Sequence, residues 1–467
     1  MRQSQALVCG GSLGGMLAAQ VLSKYFDEVL VLDRETRKGD EVARFVPQMN
    51  HNHFLHHNAA QCIERVFPGF IDIMKKNSFV LHPQRMAWNF YGNWLNAAPA
   101  MKKDLTAFGA SRTVLDNACR TLLKKNPKVE LREGVTITGF LTSEDKNRIC
   151  GVSVEGGGNI EADFVVDATG ASSKSIDWLE KLGYQRPPIS YIKPRLTYTS
   201  RLFERKPNQA PATHNWDAVM CWPPSIESKR GALLTPIEEN IWHCSLGAEC
   251  GDPCPKTDEG YLDFAKSLGI PHVYDIIKDA VPLTPITQMS IPKTWVWHFE
   301  KAKQVPEGYI MFGDARARLN PVFAQGMTIA AKNAKELDDC MDKYFKGKKS
   351  KIPKQYYKRS SKYIFNSWFL TTSEDFRHPE LQDTVTTGFP RPVLHAVGWY
   401  TKRVLKQMAS SPSLLEAFFN VAGINAAPPT FLFHPAAVSK VLMASIGIEK
   451  ALQDPYEMNP AVEIAEG

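Results

Sequence analysis

Residues 1–22 read MRQSQALVCGGSLGGMLAAQVL, and the six from Gly10 to Gly15, GGSLGG, decide the fold. Ala6 to Cys9 form a short apolar run of strand character, and Met16 to Leu22 continue as an apolar helix. A glycine turn between strand and helix permits a tight bend, brings the backbone close to a pyrophosphate and lets the helix pack on the strand. The amides of the helix start then face the phosphates. The common spacing is G-x-G-x-x-G, and here Ser12 takes the middle place; serine is small enough to keep most of the turn. The next apolar run, EVLVLDR, carries Asp33 where an acidic side chain meets a ribose hydroxyl. Strand, glycine turn, helix, strand and acid in this order predict a dinucleotide site; an accidental glycine-rich connection is the rival reading.

A chain of 467 residues is long enough for two or three domains around a large core. The net charge of +7 is modest and interspersed, which argues against a dedicated nucleic-acid binder. Nine scattered cysteines suggest a reducing compartment rather than a disulfide framework, and the Cys250–Cys254 pair has no second pair at zinc spacing. The apolar N-terminus imitates a secretory signal, but its glycines and the acid-ended strand fit a nucleotide fold better. No stretch reaches the ~18 apolar residues of a membrane span, so a cytoplasmic protein is expected. The run from Lys343 to Lys362 interleaves nine Lys or Arg with aromatics; it reads first as a solvated helix end and loop, with docking on an anionic membrane surface as the second reading.

Helical spacing at SRTVLDNACRTLL is followed by VELREGVTITGFLTS, RICGVSVEGG and ADFVVDATG, which read as a three-stranded meander inserted in the α/β pattern. From 191 to 294 the strands lengthen and gain aromatics, as in RLTYTSRLFER and IWHCSLGAE, predicting a separate antiparallel sheet. The α/β pattern returns at EGYIMFGDA, and the remainder reads as helical. A buried strand ending in Gly313 and Asp314 supplies a hydroxyl acceptor that an NAD dehydrogenase does not need and a flavin's ribityl chain does.

The set GGSLGG, SRTVL, DATG and GDA with NPVFAQGM resembles the FAD-dependent monooxygenases of the p-hydroxybenzoate hydroxylase superfamily. RFVPQMNHNHFLHH and WFLTTSEDFRHPE are similar to segments of its polyprenyl-methoxyphenol hydroxylase-like branch, which includes polyketide epoxidases. The resemblance covers most of the chain. It implies a Rossmann-type FAD-binding domain with an inserted β-meander (1–190 and 295–350), a substrate domain on a mainly antiparallel sheet (191–294) and a helical C-terminal region (351–467). It also implies FAD contacts at Gly10, Leu13 and Gly15 (pyrophosphate), Asp33 (ribose), Arg112, Val135 (adenine), Gly170, Gly313 and Asp314 (ribityl and pyrophosphate). Arg44 and Gln48 fall near the ribityl chain and ring, Pro321 with Gln48 beside the reactive face, and Gly326 and Met327 at a helix start facing the pyrimidine end. A helix N-terminus there stabilises anionic reduced flavin by ~1 kcal/mol or more.

The chain departs from the family at Ser12, at Ala324 where a glycine is usual, at Arg316 and Arg318 where small or apolar residues are commoner, and at DATG, which replaces the motif that helps hydroxylases recognise NADPH. His51, His53, His56 and His57 invite a metal reading, but no carboxylate or cysteine cluster accompanies them, so no metal is expected. Trp88, Phe90, Tyr91, Trp94, Trp222, Trp295 and Trp297 are candidates to line an apolar substrate cavity, with plain core as the alternative for each.

The resemblance implies an NADPH- or NADH-driven monooxygenase that transfers one oxygen from O2, through a flavin C4a-hydroperoxide, to a hydrophobic alkene or aromatic substrate of secondary metabolism, by epoxidation or hydroxylation. The alternatives are a flavin-dependent halogenase, whose Ile-Pro motif is not matched by SIPKTWVW, and a non-catalytic FAD-binding protein.

Overall fold

The computed structural model describes residues 3–37, 48–95, 105–209, 216–223, 225, 227–347, 351–382, 384–386, 390–408 and 411–445. The opening strand, Gln5–Cys9, is the middle of a five-stranded parallel sheet in the order Tyr309–Met311, Phe164–Asp167, Gln5–Cys9, Glu28–Asp33, Val129–Glu133. The inner strands are buried on both faces, as an all-parallel sheet requires. Helices Leu13–Leu22 and Gly326–Phe345 pack on it and on each other.

The region read as one meander is divided. Gly134, in the left-handed region at φ +73°, breaks the first run into Val129–Glu133 at the edge of the parallel sheet and Ile137–Thr142. Phe164–Asp167, buried throughout, also returns to the parallel sheet, so the antiparallel meander consists of Ile137–Thr142, Ile149–Val154 and Asn159–Glu161.

A second sheet has seven strands in the order Thr287–Ile291, Leu196–Glu204, Ile241–Ala248, Arg230–Ile237, Val219–Cys221, Ala87–Phe90, Asn93–Leu95. It is antiparallel except where Val219–Cys221 meets Ala87–Phe90. Helices Ile352–Asp375, Arg391–Gln407, Pro412–Ala422 and Pro435–Ser445 cover one side of the molecule. Among the described residues no helix is long and apolar enough to cross a membrane.

Candidate active site

The glycine loop takes the form its spacing predicts. Gly10 has φ +102°, and a Cβ on Gly15 would stand 1.8 Å from the Gly10 carbonyl oxygen, so strand and helix approach to a distance only glycine allows. Ser12 has extended backbone (φ −82°, ψ −177°), so a side chain costs nothing there, and its Oγ accepts from the Arg112 guanidinium at 3.2 Å. Arg112 is itself fixed by Asp116 at 2.8 Å, which places a cation over the loop.

Beside this loop opens a cavity of about 520 Å³ running between the two sheets. Leu13, Gln48, Arg112, Gly170, Gly313, Asp314, Pro321, Gly326 and Met327 all line it, together with Ser12, Gly14, Arg34 and Thr169. Asp314 has no hydrogen-bond donor among the described residues, and burial pushes its carboxyl above the usual range, with Arg318 and Arg112 pulling the other way. The helix Gly326–Phe345 starts with no side-chain cap and no acidic residue in its first turn, so its amides are left for a ligand.

Other expected contacts, Gly10 and Gly15 among them, are not in the lining. Asp33 is not in the lining: its Oδ2 accepts from the Gly11 amide at 2.9 Å and its Oδ1 from the Glu35 amide at 3.0 Å, so it shapes the loop from below. Val135 donates its amide to the Asp33 carbonyl at 2.8 Å and is also outside the lining. Arg44 lies outside the described residues.

The other half of the cavity is aromatic. Trp88, Phe90 and Trp222 line it, joined by Phe418 and Phe419 from the helix Pro412–Ala422. Trp88 meets Phe419 with ring centroids 5.3 Å apart, and Phe90 meets Phe418 at 5.9 Å. Trp222 lies on two facing glycines, Gly231 and Gly247, whose Cβ atoms would fall 2.1 and 2.5 Å from its ring. Met220, Met289 and Ile291 complete the apolar wall.

Four aromatic candidates lie outside the lining. Tyr91 is not in the lining; its hydroxyl donates to Glu374 in a buried polar cluster. Trp295 and Trp297 share one face of the strand Thr294–Trp297, and that face is not the cavity's: Trp297 packs against the core of the parallel-sheet domain, and Trp295 lies under Arg318. Trp94, on the edge strand, stacks on His272 instead.

The four histidines do four different things. His51 Nδ1 is 2.7 Å from Ser200 Oγ, His53 sits in the cavity wall, His56 donates from Nε2 to the Phe323 carbonyl at 2.9 Å, and His57 Nδ1 accepts from the Thr106 amide. Among the described residues no group of three or more His, Cys, Asp or Glu converges as a metal site.

The turn at Pro321 is held by the segment WFLTTSEDFRHPE. Asn320 accepts from the Val322 amide at 3.2 Å and donates to Glu249 at 3.1 Å and to Asp375 at 2.7 Å. Arg377 pairs with Glu249 at 3.0 Å and Glu374 at 2.7 Å. Burial, reinforced by Glu249, pushes Asp375 well above the usual carboxylate range. Of the two unusual arginines, Arg316 is fully buried and clamps Glu300 and Ser360 away from the cavity, whereas Arg318 lines it.

The match to solved structures extends over nearly the whole chain. A flavoprotein/dehydrogenase from Cytophaga hutchinsonii superposes with a TM-score of 0.67 at 13% identity, covering 96% of this chain and 100% of that one. PqsL of Pseudomonas aeruginosa, described as a probable FAD-dependent monooxygenase, gives 0.54 at 15% identity over 91% of this chain and 100% of its own. The fold is the one these two flavoproteins share. In sequence, the chain is 26% identical over 393 residues to protein Rv3254 of Mycobacterium tuberculosis (strain ATCC 25618 / H37Rv), spanning 80% of this chain and 81% of that protein. No family model matches. In this fold the cavity's polar end is built by the parallel-sheet domain and its aromatic end by the second sheet and the C-terminal helices. Phe418, Phe419 and Ser245 carried no sequence signal for the cavity, because they reach it only through contacts between distant segments.

Proposed function

We propose that the protein is an FAD-dependent monooxygenase that transfers one oxygen atom of O2 to a hydrophobic substrate, with NADPH or NADH as the source of electrons. The observation that carries this reading is a single cavity that joins a glycine loop, an unpartnered buried carboxylate and an uncapped helix start to an aromatic chamber.

The residues fit the cofactor. Gly10 and Gly15 let the loop close against its own backbone, Ser12 and Leu13 would present it to the pyrophosphate, and Arg112 would supply the countercharge. Asp314 would accept ribityl hydroxyls, and the amides at Gly326 and Met327 would favour negative charge at the pyrimidine end. Bound FAD supplies the redox chemistry and the activation of O2. The chain's own work is placement and exclusion of water. Trp88, Phe90, Phe418 and Phe419 hold an apolar substrate, and the Pro321 turn, anchored by Asn320, sets the face on which it lies.

The purified protein should take up FAD stoichiometrically, and turnover under 18O2 should place one labelled oxygen in the product. Label arriving from water would refute the reading, as would halogen in the product when halide is supplied. The lining among the described residues contains no lysine, which weighs against a halogenase.

A further inference from the structure

The sheet side of the aromatic chamber carries a polar feature that oxygen transfer to a plain hydrocarbon does not need. Tyr198, Ser200, Ser245 and Gly247 occupy one face of two paired strands, with Ser200 opposite Ser245 and Tyr198 opposite Gly247. Trp222 covers the glycine, and next to it the two serine hydroxyls meet at 2.6 Å. Ser200 also meets His51 Nδ1 at 2.7 Å, and the Asn52 amide donates to Ser245 Oγ at 3.2 Å. His51 and Ser245 both line the cavity, so with Nδ1 engaged the ring offers Nε2 to a ligand, beside the Ser245 hydroxyl. Trp222 Nε1, in the same wall, has no hydrogen-bond partner among the described residues.

Burial holds the His51 pKa down to about 4, so the ring is neutral at neutral pH and has one donor and one acceptor nitrogen. That makes the chain of three side chains a two-state device. When Nδ1–H donates to Ser200 and Ser200 donates to Ser245, the cavity meets an acceptor at Nε2 and a free donor at Ser245. When both hydrogen bonds of the chain reverse, it meets a donor at Nε2–H and an acceptor at Ser245. Either way one donor and one acceptor stand side by side. A proton taken at Nε2 is matched by one delivered from Ser245, with no net charge left in the wall.

We propose that His51 and Ser245, linked through Ser200, act as one coupled donor–acceptor pair that selects an aromatic substrate bearing a hydroxyl or N–H beside a carbonyl, as in an enolised diketone or a lactam. This rests on the monooxygenase reading for its reaction but not for its binding geometry. A hydrocarbon of the same shape would leave both groups buried and unpaired, a loss that sites built for hydrogen bonding translate into strong discrimination.

The test is equilibrium dialysis of three probes of one shape, phenanthridin-6(5H)-one, 9-phenanthrol and phenanthrene, against the FAD-loaded protein. The lactam should bind at least ~10-fold more tightly than phenanthrene, with the phenol between them. His51→Phe and Ser245→Ala should each shrink the lactam's advantage over phenanthrene to less than ~3-fold, by removing the lactam's partner and relieving the penalty that phenanthrene pays. Ser200→Ala, which removes only the link, should reduce the preference by a smaller factor and covers the case in which the His51 variant does not fold. Equal binding of lactam and phenanthrene by the parent protein, or a preference that survives these substitutions, overturns the proposal. Flavin content measured on the same samples separates this outcome from a failure of the cofactor reading.

Discussion

Replacing Gly15 by alanine adds one methyl group at the point where the opening strand and its helix touch. The new Cβ would lie 1.8 Å from the Gly10 carbonyl oxygen, 2.9 Å from its carbon and 3.4 Å from Val8 Cγ1. The first distance is 1.2 Å short of the 3.0 Å inside which real Cβ atoms are essentially never found, and the atom it meets is backbone, so the helix start must move. In open surroundings the same change would stabilise a helix by ~1 kcal/mol. Overpacking a close-packed interior costs ~1–3 kcal/mol, and with backbone on the opposing side the upper part of that range applies, leaving a net loss of ~2 kcal/mol. The amides of the loop shift with the helix. Losing one charge-assisted hydrogen bond worth ~1.5–3 kcal/mol should weaken FAD binding about 10- to 100-fold. Gly14→Ala is the control, because its Cβ would meet only Phe312 at 3.5 Å, an ordinary contact. Flavin fluorescence titration and thermal unfolding of the two variants measure both effects. Equal FAD affinity and equal melting temperature for Gly15→Ala and Gly14→Ala would refute the close-approach argument.

Ala324 occupies the left-handed region (φ 50°, ψ 34°), which costs a non-glycine residue ~1–2 kcal/mol; Ala324→Gly relieves this but gives back ~0.4–1 kcal/mol in unfolded-chain entropy, so denaturant titration should show a net gain of ~0.5–1 kcal/mol. Burial raises the Asp314 pKa, so its ionised form costs stability; the cost is absent below the unfolded value of about 4 and grows as pH rises through the folded one. Asp314→Asn should therefore raise the melting temperature of FAD-free protein at neutral pH, with the gain shrinking toward pH 4, while weakening FAD binding; an unchanged melting temperature at neutral pH contradicts the burial argument. Arg377→Met leaves Glu249 and Glu374 without their shared cation and should cost ~3–5 kcal/mol in urea unfolding, whereas a loss below ~1 kcal/mol would mean that the cluster is open to water.

The glycine loop, the acid after the second strand, and the GDA and NPVFAQGM segments were legible in the sequence because each is a local device, in which short spacing fixes backbone shape and the backbone presents the polar groups. The same locality explains the weak points. Asp33 was read at the right place in its strand, but both its oxygens turn to the backbone of the loop and not to the cavity. The run from 129 to 142 was read as one strand because alternation continues through Gly134, and only the left-handed backbone there divides it between two sheets. Tyr91, Trp295 and Trp297 have the composition of a pocket wall; which strand face meets the cavity is a matter of sheet pairing, to which composition is blind.

What the sequence by itself determined is therefore the class of fold and the glycine-loop half of the cavity, where residues a few positions apart act together. The tertiary structure alone decided the other half. Trp222 lies flat because Gly231 and Gly247, distant in sequence, face each other across two strands; Ser200 meets Ser245 because the cross-strand register puts them opposite; and Phe418 closes the chamber from a helix more than three hundred residues after Phe90. Pairing register and helix docking are set by the burial of whole faces, a property of the assembled chain that no short stretch of residues contains.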